Sequence, residues 1–277
     1  MLIKFDKMQA LGNDFVMMNA NQFSPGAVQL NRDFISAVCS RNYGIGCDTA
    51  VFYELRNEEI FARFFNPDGS EAEICGNAAG CLGLLIKKRN GVSQFTLRTE
   101  KKTYFVQTTD SEISVNMGKP SFDSEEIGLV GSDSTSILEK LCLPDDLGIY
   151  HASCVSVGNP HLVLFCKNIL DEEKIKSLGA SLENHFLFGN RINVSFACVR
   201  DDNKIMLTVF ERGAGLTLAC GSGACATAAV ARVNRLVSSK EIFVEQKGGV
   251  LKIFTDDDMN IFRIGPAFLV FSGETDL

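Results

Sequence analysis

One unusual arrangement occurs twice in this chain. From Glu211 to Val230, ERGAGLTLACGSGACATAAV, a glycine-broken loop delivers Cys220 to the start of an alanine-rich helix. From Ile74 to Ile86, ICGNAAGCLGLLI, Cys75 leads through Gly76 and Asn77 into an apolar helix. Asn66 lies nine residues before Cys75, and Glu211 lies nine before Cys220. Aromatic strand ends precede both, Phe64-Phe65 and Val209-Phe210, and Gly-Asn pairs open an apolar run earlier still, at Gly12-Asn13 and Gly158-Asn159. All these offsets fall at about 145 residues, so the chain reads as two homologous halves. The expected fold is α/β of the α+β type, with two pseudo-symmetric domains, each a mostly antiparallel sheet wrapped around one central helix. The first comprises 1–118 plus 266–277 and carries Cys75. The second comprises 119–265 and carries Cys220.

The 277 residues suit two domains of ordinary size, and 45% hydrophobic composition is that of a globular chain. A net charge of −7, with no basic cluster larger than Lys87-Lys88-Arg89, speaks against nucleic acid as a partner. That triplet reads as a solvated helix C-terminus. The N-terminus is broken by charges, and no apolar run is long enough to span a membrane, so the reading is cytoplasmic with no membrane partner.

Ten cysteines raise the question of disulfides or a metal. Reduced thiols are expected in a chain of this length with no export signal. The close pairs Cys75/Cys81 and Cys220/Cys225 lack zinc spacing, and the histidines are only His151, His161 and His185, so no metal is assigned. Cys39, Cys142, Cys154, Cys166 and Cys198 read as core filler. The loop Tyr43–Asp48 lacks the third glycine and strand-to-helix setting of a nucleotide fingerprint.

Taken in order, strands are expected at Ile3–Met8 and Phe15–Asn19, a helix at Arg32–Arg41, strands at Thr49–Tyr53 and Phe61–Phe65, and a turn at Asn66-Pro67-Asp68-Gly69 before the first cysteine helix. Strands at Gln94–Thr99, Thr103–Thr108 and Glu112–Met117 complete that half. A crossover at Ser121–Ser134 and a helix near Thr135–Leu141 open the second, with strands at His151–Val157 and His161–Cys166. Two helices are then read, Ile169–Leu178 and Ala180–His185. Strands at Asn193–Arg200 and Ile205–Glu211 feed the second cysteine helix, and Ile242–Glu245, Val250–Thr255 and Asn260–Ile264 follow it. The tail from Ala267 returns to the first half.

At a helix start, backbone N–H groups lack intrahelical acceptors and the aligned peptide dipoles favour negative charge, so Cys220 is expected to ionise easily. The bland alternative is a pair of small core cysteines. With a thiol at each helix start, the expectation is a site between the halves with one sulfur on either face of a substrate. One thiolate would take a proton from carbon, and one thiol on the opposite face would return one. A substrate α-carboxylate would lie against the backbone N–H groups of Asn77, Gly221 and Ser222.

The ordered motifs GNDF, FNPDGSE, CGN, VNMG, GNPH, RINV, ERGAG and ACGSGACA span essentially the whole chain, and it resembles the diaminopimelate epimerase family. The resemblance implies a pyridoxal-independent isomerase of lysine and cell-wall synthesis, converting LL- to meso-diaminopimelate with Cys75 and Cys220 as the acid–base pair. It implies no cofactor, a small amino-acid substrate and a homodimer. It also implies substrate contacts from Asn13, Asn66, Gly76, Asn77, Asn159, Asn193, Glu211, Arg212, Gly221 and Ser222. Arg212 suits a distal carboxylate and Glu211 a distal ammonium, although Glu211-Arg212 alone could be a surface ion pair. His161 is read as a residue that orients or tunes a cysteine, or as a neutral structural histidine. Three positions depart from the family pattern: Thr49 replaces a usual glutamine, Gly80 an arginine and Leu216 a glutamate. The last two together are consistent with a cross-domain ion pair lost as a unit. The alternatives are a two-cysteine racemase of another amino acid, such as histidine, a proline-racemase-like enzyme, and a non-catalytic amino-acid-binding protein.

Overall fold

The computed structural model describes residues 2–23, 30–56, 59–131, 137–141, 143 and 147–276. The chain divides into two compact units, Met1–Asn116 with Ile264–Leu277, and Met117–Arg263.

In the first unit, β1 (Ile3–Ala10) and β2 (Asn13–Asn19) form an antiparallel hairpin. Its turn puts Leu11 and Gly12 at φ of 54° and 81°. Helix α1 (Arg32–Cys39) is capped by the Asn31 side chain, which accepts from the N–H of Phe34. β3 (Thr49–Arg56) runs parallel to β2, and β4 (Glu59–Phe65) antiparallel to β3. The two-residue β5 (Glu71–Ala72) folds back on β4. Helix α2 (Gly76–Asn90) follows, then β6 (Gln94–Arg98) parallel to β4, β7 (Thr103–Thr108) antiparallel to β6, and β8 (Ile113–Gly118) antiparallel to β7.

The second unit opens with α3 (Ser124–Ile127) and α4 (Ile137–Leu141) and then repeats this order. β9 (Ile149–Ser156) and β10 (Pro160–Cys166) pair antiparallel, and α5 (Glu172–Glu183) connects to β11 (Asn193–Asp201), parallel to β10. β12 (Lys204–Glu211) is antiparallel to β11, and β13 (Gly215–Leu216) folds back on β12. Helix α6 (Gly221–Val233) precedes β14 (Glu241–Gln246), parallel to β12, and β15 (Gly249–Thr255), antiparallel to β14. After β16 (Ile261–Gly265), β17 (Phe268–Thr275) rejoins the first unit, antiparallel to β1, as the tail was expected to do. Each unit therefore runs antiparallel, parallel, antiparallel, fold-back, helix, parallel, antiparallel, the pseudo-symmetric architecture that the repeat implied.

Both cysteine helices are buried in their own unit's sheet. Helix α2 packs on β1, β2, β7 and β17, and α6 on β9, β10, β11, β12, β14 and β15. Their Gly and Ala content follows from that enclosure, because strands on several sides leave no room for long side chains. The basic triplet does end α2: Gly91 closes the helix at φ 71°, Lys87 pairs with Asp110, and Arg89 with Asp6 at 2.5 Å.

One expectation is corrected. The segment read as two helices is the single helix α5, started by the Asp171 side chain accepting from the N–H of Lys174. Gly179 does not break it. A Cβ at Gly179 would lie 2.5 Å from Phe210 Cγ, so the glycine lets α5 approach β12. The two-residue strands β5 and β13 escape any reading of periodicity. Cys142, Thr135 and Ser136 lie outside the described residues. Among the described helices none is long and apolar enough to cross a membrane.

Candidate active site

Cys75 and Cys220 are the N-cap residues of α2 and α6, with nearly the same backbone: φ −122°, ψ 111° and φ −121°, ψ 114°. This is the extended conformation of an N-cap, which aims the side chain back at the first turn. Gly76 and Asn77 begin α2, and Gly221 and Ser222 begin α6; all four are buried. Their N–H groups have no acceptor within the helix, the condition for holding an anion.

The side chains around the two sulfurs differ. In the first unit Cys75 is partly exposed and makes no side-chain cap bond. Its Sγ lies 3.8 Å from Asn13 Oδ1. The other end of that amide donates to Asp48 Oδ2 at 2.9 Å, and Asp48 in turn receives Arg41 at 2.7 Å. Arg41 also grips both oxygens of Asp14, at 2.8 and 2.9 Å, and Lys7 donates to Asp14 at 2.6 Å. Burial alone would raise the Asp14 carboxyl; Arg41 and Lys7 outweigh it and hold the group far below the usual carboxylate range. Asn66, exposed in the turn before β5, donates to Ser70 Oγ at 3.0 Å.

In the second unit Cys220 is 4% exposed. Its Sγ accepts from the N–H of Gly223 at 3.3 Å and lies 3.4 Å from Ser222 Oγ. Its own N–H donates to Gln246 Oε1 at 2.8 Å. The Glu211 carboxylate is also a hydrogen-bond partner of the thiol, and receives the Thr217 hydroxyl at 2.6 Å. Ser222 Oγ accepts from Asn159 Nδ2 at 3.2 Å and is 3.0 Å from His161 Nε2. The expectation that a helix start makes Cys220 easy to ionise is overturned. Burial and the charge of Glu211 push the thiol well above its ordinary range, against the smaller opposing effect of Ser222 and Gly223. His161 is fully buried, and burial, then the charge of Arg212, bring it down to about 3, so it is neutral at physiological pH.

The Glu211-Arg212 loop is held from below. Asn193 Oδ1 accepts the N–H of Arg212 at 3.0 Å while its Nδ2 donates to Pro160 O at 2.9 Å, so both ends of this amide brace backbone. The exposed Arg212 guanidinium meets Asn190 O at 3.2 Å. Buried Glu183 accepts from Gly213 at 2.7 Å and from Arg191 at 3.0 Å.

Within the second unit, then, Cys220, Ser222, Asn159, His161 and Glu211 form one connected cluster, with Asn193 and Arg212 beside it. Within the first, Cys75 and Asn13 are joined, and Asn66 lies apart in its turn. Sequence reasoning missed Asp48, Arg41, Glu183, Thr217 and Gln246. Thr217 could have been read from its place after Glu211. Gln246 and Glu183 give no local signal, because each reaches the site from a distant element. Of the three departures, Thr49 starts β3 buried, Gly80 is buried in α2, and Leu216 packs on the second unit's core, opposite Phe210. Of the core-filler cysteines, Cys39, Cys154, Cys166 and Cys198 are buried. Burial raises Cys154 to about 12 and Cys166 to about 11. Cys39 instead contacts a second thiol, Cys47, at 3.5 Å.

The diaminopimelate epimerase family model matches residues 5–122 and 153–270. Diaminopimelate epimerase of Natranaerobius thermophilus is 38% identical over 98% of this chain and 98% of its own length. That of Gluconobacter oxydans is 38% identical over 99% of this chain and 100% of its own. Among solved structures, a hydroxyproline epimerase from Agrobacterium vitis with bound trans-4-hydroxy-L-proline shares the fold at TM-score 0.68 and 11% identity, covering 99% of this chain and 92% of that one. A phenazine biosynthesis protein of the PhzF family from Enterococcus faecalis does so at TM-score 0.68 and 14% identity over the whole of both chains. Two matched halves and near-complete coverage at this identity leave one assignment: the chain belongs to the diaminopimelate epimerase family of isomerases.

Proposed function

We propose that this epimerase converts LL-diaminopimelate to meso-diaminopimelate in lysine and peptidoglycan synthesis, in the cytoplasm, with Cys75 and Cys220 exchanging protons with one α-carbon and with no pyridoxal or metal cofactor. The observation that carries the reading is the pair of cysteine N-caps with matching backbone, each leading a buried helix. Inversion needs a base on one face of the carbon and an acid on the other. Cys220, kept protonated by burial and Glu211, suits the acid for one substrate hand. As its proton passes to carbon, the proton taken by Cys75 restores the count, and the return reaction reverses the roles. Charge growing on the α-carboxylate is met by the N–H groups of Gly76, Asn77, Gly221 and Ser222. Arg212 takes a distal carboxylate, Glu211 an ammonium, and Asn13, Asn66, Asn159 and Asn193 fix orientation.

The test is turnover in deuterium oxide with chelator present and no added pyridoxal phosphate. Deuterium should enter the α-position of diaminopimelate, and Cys75→Ala or Cys220→Ala should abolish it. Exchange into another amino acid instead would transfer the assignment to a different racemase. A homodimer is proposed as well, supported by exposed Phe268, Val270 and Phe271 on β17. Sedimentation at a dimer mass, lost in Val270→Asp, checks it; a wild-type monomer rules it out.

A further inference from the structure

We propose that Ser222 is a positioning residue whose hydroxyl, turned by Asn159 and His161, donates its hydrogen to the Cys220 sulfur and steadies the thiolate left when Cys220 has given up its proton. The inference rests on the reading of Cys220 as a proton carrier. The direction of each hydrogen bond follows from valence. Asn159 Nδ2 donates to Ser222 Oγ at 3.2 Å, which leaves Asn159 Oδ1 as the acceptor 3.2 Å from His161 Nε2. His161 Nε2 must therefore carry the ring hydrogen. It is shared with Ser222 Oγ at 3.0 Å, so the serine oxygen is an acceptor toward both neighbours. Its own hydrogen is left for the remaining partner, Cys220 Sγ at 3.4 Å.

A second observation agrees. His161 Nδ1 is buried and has no hydrogen-bond partner among the described residues. With the hydrogen on Nε2, that atom is a bare lone pair; the other tautomer would strand an N–H donor in the interior, which is costly. The charged and titratable groups facing this cluster are Glu211 from β12, Arg212 beyond it, and His161 from β10; Gln246 from β14 and the N–H of Gly223 are neutral. Glu211 resists thiolate formation, and Ser222 with the N–H of Gly223 favours it. Ser222 thus acts on the state that Glu211 opposes, and the two together keep the proton transferable.

The experiment measures iodoacetamide labelling of Cys220 against pH, read on its peptide by mass spectrometry in a Cys75→Ala background, with kcat and KM measured in otherwise wild-type enzyme. Loss of a hydrogen bond to a charged sulfur should raise the labelling midpoint of Ser222→Ala by about one pH unit and lower kcat about tenfold. KM should hold, because the Ser222 N–H remains, and Ser222→Thr should restore both values. Should Ser222→Ala fail to fold, Asn159→Ala removes an orienting donor from outside the helix and should move the midpoint the same way by less. An unmoved midpoint in the variant that folds, or Thr no better than Ala, overturns the proposal. Labelling needs no substrate, so a shifted midpoint without epimerase turnover would sink the functional reading and leave the role of Ser222 standing.

Discussion

Gly179→Ala tests the link between packing and site most directly, since the residue it crowds adjoins Glu211. The added Cβ would meet Phe210 Cγ at 2.5 Å, Cβ at 2.6 Å and Cδ2 at 2.7 Å. Carbon atoms rest at about 3.5–4.0 Å, so the ring base must retreat by roughly 1 Å. It has little freedom to do so: Phe210 packs against the second unit's core and pairs with Leu216 of β13. Overpacking of this kind costs about 1–3 kcal/mol, and contact with the base of a ring rather than its tip argues for the upper end. Replacing an interior helical glycine returns about 1 kcal/mol. The net is about 2 kcal/mol of destabilisation, a fall of about 4–8 °C in the melting temperature of a unit this size. Circular dichroism melts of Gly179→Ala and of Ser177→Ala, an exposed change on the same helix, give the comparison. Ser177→Ala should melt within about 1 °C of wild type by the usual tolerance of surface sites, while Gly179→Ala should also lose kcat as Glu211 shifts. A Gly179→Ala protein as stable as wild type would refute the close-approach account of this glycine.

Two further predictions concern pH. His161 is brought down to about 3, so the unfolded chain binds a proton below its ordinary value of about 6.5 while the folded one does not; stability present above pH 6.5 should fall by about 4 kcal/mol as pH drops toward 3. Urea titrations of His161→Gln should show a flatter acid limb, and an unchanged limb would contradict the buried neutral ring. Asp14, held far below the usual range, contributes stability above pH of about 4 that is lost only as pH falls toward its folded value. Asp14→Asn removes the carboxylate that pairs with Lys7, whose side chain is only 11% exposed, and should cost about 3 kcal/mol at pH 7, with the gap to wild type closing under strong acid.

The repeat made the fold legible, because spacing and turn chemistry are local properties carried in order along the chain. Gly12 and Gly158 show why: both hold positive φ, 81° and 104°, at the turn that leads into the strand after each Gly-Asn motif. Gly179 shows the limit. Locally it reads as a helix break, and only the Phe210 ring, which the chain brings in from β12, explains it. The same limit hid Gln246 under the N–H of Cys220 and Glu183 under Gly213. It also reversed the sign of the Cys220 expectation, since a helix-start argument counts the donors nearby in sequence and omits desolvation and the carboxylate nine residues back.

The divergence between the halves bears on the chemistry. Backbone geometry at the two cysteines is nearly the same, so their surroundings differ through burial and through the side chains around them. Asn66 corresponds to Glu211, Phe15 to His161 and Asn77 to Ser222, while Asn13 and Asn159 are kept. Three substitutions thus place a carboxylate, an imidazole and a hydroxyl in the cluster around Cys220, where the first half has two amides and an apolar ring. In the proposed reaction one thiol must be charged while the other is not, and unequal surroundings would set which of the two carries the proton in the resting state. Duplication supplies two thiols in one backbone geometry, and these three positions, with the deeper burial of Cys220, make their surroundings unequal.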